Sequence, residues 1–286
     1  MITPALQGEE FVEDVKGVDA TSGQLQLWWL GQSGYLLHWR GEYLLIDPYL
    51  SDSLTEKYAG TEKPHVRMTE LVIEPERLDF VRVVSSSHNH TDHLDAATLK
   101  PLLRVNAGIS VVVPAANVQF AADRLEVAPE RLIAARVGES VGIKPFTYHA
   151  VPAAHEQLEK DDEGHYTHVG YVIEAGPWTV YHSGDTVRYE GMTERLNQFD
   201  IDVALLPING TDPERGVPGN LSGPEAAQLG FDIGARMVIP CHYEMFEFNT
   251  VSPDEFADAA ELLGQPFALL AAGARWSTES LPSHSA

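Results

Sequence analysis

The chain has 286 residues, 44% of them hydrophobic, and its 42 acidic side chains outnumber 19 basic ones for a formal charge of −23. Length and apolar content allow a large core, in one domain or two closely packed halves. The acidity and the lack of any basic run argue against nucleic-acid and anionic membrane partners, whose phosphates are held largely by Lys and Arg. A lone Cys241 and an acidic start without an apolar signal core give the expectation of a cytoplasmic, soluble protein with no membrane span.

Residues 1–22 read as a loose lead-in, 23–280 as a single domain and 281–286 as a frayed tail. Gln24 to Leu30 alternates and then turns apolar, as a strand that becomes buried does. Tyr35 to Trp39 and Tyr43 to Ile46 form a hairpin across Arg40-Gly41, ending at Asp47-Pro48. Asp47 is either support for a metal ligand or a plain turn former. Residues 49–78 have no clear period and gather Lys57, Lys63, His65 and Arg67. They are a lid, a subunit contact or a solvated loop.

Val81 to Val84 is a β-branched strand, and it leads into Ser87-His88-Asn89-His90-Thr91-Asp92-His93-Leu94-Asp95. Residues two apart on extended chain point the same way, so His88 and His90 can grip one cation. Asp92 and His93 sit where the chain turns, placed for a second. Asp95 caps a helix beginning at Ala96. Imidazole and carboxylate suit Zn²⁺, while more oxygen ligands admit Mn²⁺ or Fe.

Ser110–Val113 is a short strand, Pro114–Glu126 a helix with Pro at its start, and Arg131–Ala134 another strand. Gly138–Gly142 is a turn before the strand Lys144–Val151. His155 follows a strand end as His88 does, and is the third imidazole for the first metal. His149, inside the strand, is its rival, and His165 and His168 read as non-ligands. Val169–Ala175 and Trp178–His182 form a hairpin that ends at Gly184-Asp185, where a carboxylate can bridge two cations. After the strand Ile201–Pro207 and the helix Pro224–Phe231, with Ser222 near its N-cap, Arg236–Pro240 runs into Cys241-His242, the last imidazole. Residues 254–263 are helical and Phe267–Ala272 is a strand.

His88, His90 and His155 thus fill one site, and Asp92, His93 and His242 a second, with Asp185 between them. Each keeps an open position, as catalytic sites do. Two cations about 3.5–4 Å apart can hold a hydroxide of lowered pKa, hydrolytic equipment that needs no Ser or Cys nucleophile. Asp92 and Asp185 are the catalytic carboxylates. Arg188 and Arg215, on loops at the same side, are candidates for gripping an anionic substrate, with Asn209 and Tyr243 adding neutral hydrogen bonds. The alternative for the two arginines is pairing with Glu190 and Glu214.

The order H-x-H-x-D-H, a lone His, a Gly-Asp pair and a late His resembles the metallo-β-lactamase superfamily from about Trp28 to Trp276. Trp28-Trp29-Leu30-Gly31, Tyr181 to Asp185, Ile201 to Leu205, Pro213 to Gly216 and Val238 to His242 resemble its ascorbate 6-phosphate lactonase branch. The resemblance implies an α+β fold, a four-layer αββα sandwich with the dinuclear site at one edge of the sheets. It also implies a cytoplasmic homo-oligomer with two divalent ions, Zn²⁺ or Mn²⁺. In such an enzyme a metal-bound hydroxide attacks a lactone or ester, such as a phosphorylated sugar lactone. Small-molecule phosphodiester hydrolysis, glutathione-thioester hydrolysis and a non-catalytic metal scaffold are the alternatives.

Overall fold

The computed structural model describes residues 1–282. Its strands are β1 (Gln26–Gly31), β2 (Gly34–Trp39), β3 (Glu42–Ile46), β4 (Val81–Ser85), β5 (Ser110–Pro114), β6 (Leu132–Ala135), β7 (Ser140–Ile143), β8 (Phe146–Pro152), β9 (Val169–Ala175), β10 (Trp178–His182), β11 (Val203–Pro207), β12 (Met237–Cys241) and β13 (Arg275–Ser277). They build a seven-stranded sheet in the order β13-β1-β2-β3-β4-β5-β6 and a six-stranded sheet in the order β12-β11-β10-β9-β8-β7. In the first sheet β3 to β6 run parallel, and in the second β10 to β12 do.

The sheets face one another. Every residue of β1 and β2 is buried, the pattern of strands covered on both faces. Contact between the layers is close: a Cβ on Gly176 would fall 2.0 Å from the Trp39 ring, and its φ of +65° also favours glycine. Helices α1 (Gly8–Lys16), α2 (Ser53–Tyr58), α3 (Ala96–Val105), α4 (Val118–Leu125), α5 (Met192–Leu196), α6 (Gly223–Asp232) and α7 (Asp254–Leu263) complete the fold. Helix α4 packs on β5 and β6, and α6 on β11 and β12, which gives the expected αββα layering. Asp95 caps α3 through the Ala97 and Thr98 amides, and Ser222 with Glu225 forms a capping box on α6. Each such cap contributes about 1 kcal/mol. No helix among the described residues is long and apolar enough to cross a membrane.

Four expectations need correction. The lead-in is not loose: α1 buries Phe11, Val12 and Val15, and Asp14 accepts from Trp28 Nε1 at 2.8 Å. Those apolar residues share one face of a short helix among acidic neighbours, a signal that the composition hides. The turn expected at Gly138–Gly142 is confined to Gly138, and Ser140 onward pairs with β8. Phe267–Ala272 makes a single bridge, Phe267 with Val238, before turning away, and Arg275–Ser277 pairs with β1 instead. Of the tail, Leu281 packs against the core, while 283–286 lie outside the described residues.

Candidate metal centre

The ligand candidates all lie beyond the C-terminal ends of strands, on one edge of the sandwich. His88, His90, Asp92 and His93 follow β4, His155 follows β8, Asp185 follows β10 and His242 follows β12. The motif is not extended chain: it is a run of bends in which the His93 and Leu94 amides donate to His90 O at 3.1 and 2.8 Å. His88 and His90 therefore meet by folding back, with ring centroids 4.6 Å apart, rather than by strand alternation. Asp185 is set by Gly184, whose φ is +60° and whose missing Cβ would lie 2.7 Å from Ser87 Cβ.

Three donor groups converge, His88/His90/His155, His88/His93/Asp185 and Asp92/His93/His242, each with its atoms within 4.8 Å of one another. Asp185 faces both sets: Oδ2 lies 3.7 Å from His155 Nε2 and 3.3 Å from His242 Nε2, and Oδ1 lies 3.3 Å from His93 Nε2. His88 Nε2, His93 Nε2 and Asp185 Oδ1 are buried without a hydrogen-bond partner among the described residues. Buried polar atoms left unpaired are costly, and a shared cation answers that need. The donor set fits divalent metals.

The imidazoles are oriented from behind. His155 Nδ1 lies 3.0 Å from Gly219 O, leaving Nε2 to the centre. His93 Nδ1 lies 2.6 Å from Asp47 Oδ2, and Asp47 also accepts from the Ser87 amide and hydroxyl. Of the two readings of Asp47, geometry selects support for His93. Burial disfavours charge on His88, His93 and Asp185 alike. It depresses His88 well below the ordinary histidine range, with His93 and His90 adding to the fall. His93 goes the other way, because Asp185, Asp92 and Asp47 outweigh its burial. Asp185 is held well below the carboxylate range despite burial, by His93 and His242.

His168 belongs to the neighbourhood although the sequence reading set it aside. Its ring centroid is 4.8 Å from that of His88, and burial, then His155 and His90, bring its pKa to about 4. It completes none of the three donor groups, so it stays a non-ligand here. His149 lies away from the cluster, 3.5 Å from Glu174, and His165 sits beside Asp161.

A cavity of about 380 Å³ opens above the cluster, with His90, Asp92, His155, Asp185 and His242 in its wall. Residues 49–78 form one side of it through Leu54, Lys57, Tyr58 and His65, and Phe246 and Phe248 extend that apolar side. The Tyr58 and His65 rings stack at 4.2 Å, and His65 lies 4.4 Å from Phe248. This wall is anchored by Arg67, whose Nε reaches Asp52 at 2.6 Å, and by Lys63, which donates to Glu214 O and Arg215 O. It escaped the sequence reading because its aromatics come from distant segments.

The substrate-binding expectations divide. Asn209 lines the cavity, donating to Asn249 Oδ1 and accepting from Asn220 Nδ2, both at 3.0 Å. Arg188 does not: it is engaged by Asp232 at 2.7 Å and by Thr193, outside the cavity wall. Arg215 is spent on Asn209 O and lies 3.6 Å from Asp212, so it holds the loop rather than a ligand. Tyr243 donates its hydroxyl to Leu270 O at 3.0 Å, beneath Trp29. The cations that do line the cavity are Lys57 and Arg124. Arg124 gives Nη1 to Asn89 O and Leu94 O, which pins the histidine loop.

A sequence model described as a Beta-lactamase superfamily domain matches residues 42–243. A metal-dependent hydrolase of Myxococcus xanthus is 31% identical over 244 residues, 82% of this chain and 76% of that one. A probable L-ascorbate-6-phosphate lactonase of Escherichia coli is 25% identical, over 85% of this chain and 76% of its own. Among solved structures, the metallo-β-lactamase fold protein YhfI of Bacillus subtilis superposes with a TM-score of 0.64 at 18% identity, covering 90% of this chain and 100% of that one.

Proposed function

The chain belongs to the Beta-lactamase superfamily and is a metal-dependent hydrolase, and from that premise we propose that it opens a lactone or ester of a small anionic molecule with two divalent cations. The observation that carries this reading is the convergence of seven side chains, with buried unpaired nitrogen and oxygen atoms, at the floor of an open cavity. His88, His90 and His155 would hold one cation and Asp92, His93 and His242 the other, with Asp185 shared. Bound there, the pair supplies Lewis acidity and a water acidified to a pKa of about 7.

The chain's own residues do the rest. Asp47 fixes the His93 ring, and Arg124 holds the loop that carries four of the donors. Asp92 lines the cavity, and in this reading it would take the proton of the attacking water and return it to the departing oxygen. As that water's oxygen bonds to the carbonyl carbon, the carbon–oxygen bond of the ring or ester breaks. The Tyr58, Phe246 and Phe248 wall excludes water from one side, and Lys57 is the cation on offer to an anionic substituent. A thiol mechanism is disfavoured, because burial pushes the Cys241 thiol well up. The same reading keeps a small-molecule substrate, Zn²⁺ or Mn²⁺, a cytoplasmic location and a homo-oligomer.

The test is metal analysis of protein grown with Mn²⁺ or Zn²⁺, beside turnover of a phosphorylated sugar lactone, its unphosphorylated analogue and a generic phosphodiester. Wild type should carry up to two equivalents and open the lactones, and Asp185→Asn should lose metal or turnover. Protein that binds no metal, or hydrolyses only the phosphodiester, refutes the proposal.

A further inference from the structure

The turn between β1 and β2 brings one more side chain to the centre. Gln32 is buried, and its backbone lies in the left-handed region at φ +50°, a conformation that a residue with a side chain adopts only when its surroundings impose it. The imposition is visible: the His242 amide and Trp29 Nε1 both donate to Gln32 O, at 3.0 and 2.9 Å. The turn is thereby locked to the His242 segment. At the far end of the side chain, one arm of the amide lies 2.8 Å from Asp92 Oδ2 and 3.1 Å from His242 Nε2. The other arm, Oε1, is buried and has no partner among the described residues.

The two arms exchange by a half-turn about the Cγ–Cδ bond with no change of shape. Without a cation, the NH₂ arm belongs inward, where it donates to Asp92 and to the His242 lone pair, and the carbonyl is left orphaned. With a cation between Asp92 and His242, an inward N–H would point at positive charge. The carbonyl then belongs inward. The spacing agrees: donors about 2.1 Å from one small cation and at right angles to each other lie about 3 Å apart. The amide's distances to Asp92 and His242 bracket that value.

We infer that the Gln32 carbonyl is an additional ligand of the cation held by Asp92, His93 and His242. The inference rests on the dinuclear reading above. It makes the two sites unequal. His88, His90 and His155 with one Asp185 oxygen suit a four-coordinate ion such as Zn²⁺. The second site gains amide oxygen beside Asp92 and Asp185 oxygens, a harder and larger set that favours Mn²⁺.

The experiment is Mn²⁺ and Zn²⁺ titration of metal-stripped protein, followed by calorimetry and by the Mn²⁺ resonance signal, in wild type, Gln32→Met and Gln32→Glu. Methionine keeps the length and buries no carbonyl, and glutamate offers oxygen alone. Wild type should take two Mn²⁺. Gln32→Met should keep one at wild-type affinity and bind the other at least tenfold more weakly, with Zn²⁺ affinity changed less than threefold. Gln32→Glu should hold the second Mn²⁺ at least as tightly as wild type. A Gln32→Met protein with two wild-type Mn²⁺ affinities overturns the inference alone. So does equal weakening of both metals at both sites, or a Gln32→Glu protein as weak as the methionine variant. Wild type that takes fewer than two Mn²⁺ overturns the dinuclear reading and the inference together.

Discussion

Asp47 is fully buried, and its carboxylate faces His93 Nδ1 at 2.6 Å, the Ser87 amide at 2.7 Å and the Ser87 hydroxyl at 2.5 Å, the hydroxyl also having His88 Nδ1 at 3.0 Å. Asp47→Ala strands the Ser87 amide and leaves His93 Nδ1 only the Ser87 hydroxyl, at 3.3 Å. At about 1–3 kcal/mol for each buried donor left unpaired or weakly paired, addition over the two gives about 2–6 kcal/mol. Removing one partner of a buried pair costs about 3–5 kcal/mol in general, which falls inside that range. For a chain of this size each kcal/mol is worth about 2–4 °C, and the metal-free variant should melt about 10 °C below wild type. Asp47→Asn is the sharper probe, since it keeps the volume and one acceptor but misdirects an N–H toward His93 or Ser87. Partners of this kind are worth about 10–100-fold in metal affinity, or about 1.4–2.8 kcal/mol. Chelator competition on folded Asp47→Asn should show that loss. An affinity within twofold of wild type would mean that Asp47 only shapes the turn, and that the histidine needs no carboxylate behind it.

Gly184→Ala should lower metal occupancy more than its cost in melting temperature suggests, because the new Cβ meets Ser87 and Val169 O at 2.7–2.8 Å and displaces Asp185; elemental analysis against wild type reads it. Lys57→Ala should raise KM for a phosphorylated lactone severalfold while sparing the neutral analogue, whereas Arg188→Ala, outside the cavity, should change neither. Cys241→Ala should retain most turnover and its metal; complete loss in a metallated protein would point to thiol chemistry. His38 should make metal-free protein acid-sensitive. Burial lowers its pKa from an ordinary value of 6.5, so the unfolded chain binds the extra proton. That contribution is full above pH 6.5 and is lost as the pH falls toward the folded value, and His38→Gln should lose less melting temperature between pH 7.5 and 5.5 than wild type does.

The donors were legible because the fold delivers them by one rule, a strand that ends and a ligand just past it. His88, His155, Asp185 and His242 each follow a buried strand whose apolar run can be read directly. The rule failed for direction: the loop after β4 folds on itself, so it is folding back and not alternation that brings His88 and His90 together. It also failed for residues whose partners only the folded loops select. Arg188 and Arg215 lie in loops near the proper edge, yet Asp232, 44 residues on, claims the first and the Asn209 carbonyl, six residues back, the second, and no sequence pattern announces either contact. Tyr58, Phe246 and Phe248 read as ordinary apolar residues until residues 49–78 and 244–249 come together.

Gln32 shows where the limit lies. A polar residue between two glycines, at the turn joining two strands buried throughout, satisfies turn chemistry as it stands, and the sequence offers no reason to look further. Its significance comes from two facts that only assembly supplies, the left-handed backbone forced by His242 and Trp29 and the orphaned amide oxygen. Each costs about 1–3 kcal/mol, so a chain selected for stability alone would relieve both with a glycine at this turn. Keeping a strained, half-satisfied amide against Asp92 and His242 is intelligible if a cation repays it. The residues that hold the substrate chemistry are then not the motif alone but the motif together with a turn some 60 residues upstream, joined by the Gln32–Asp92 contact.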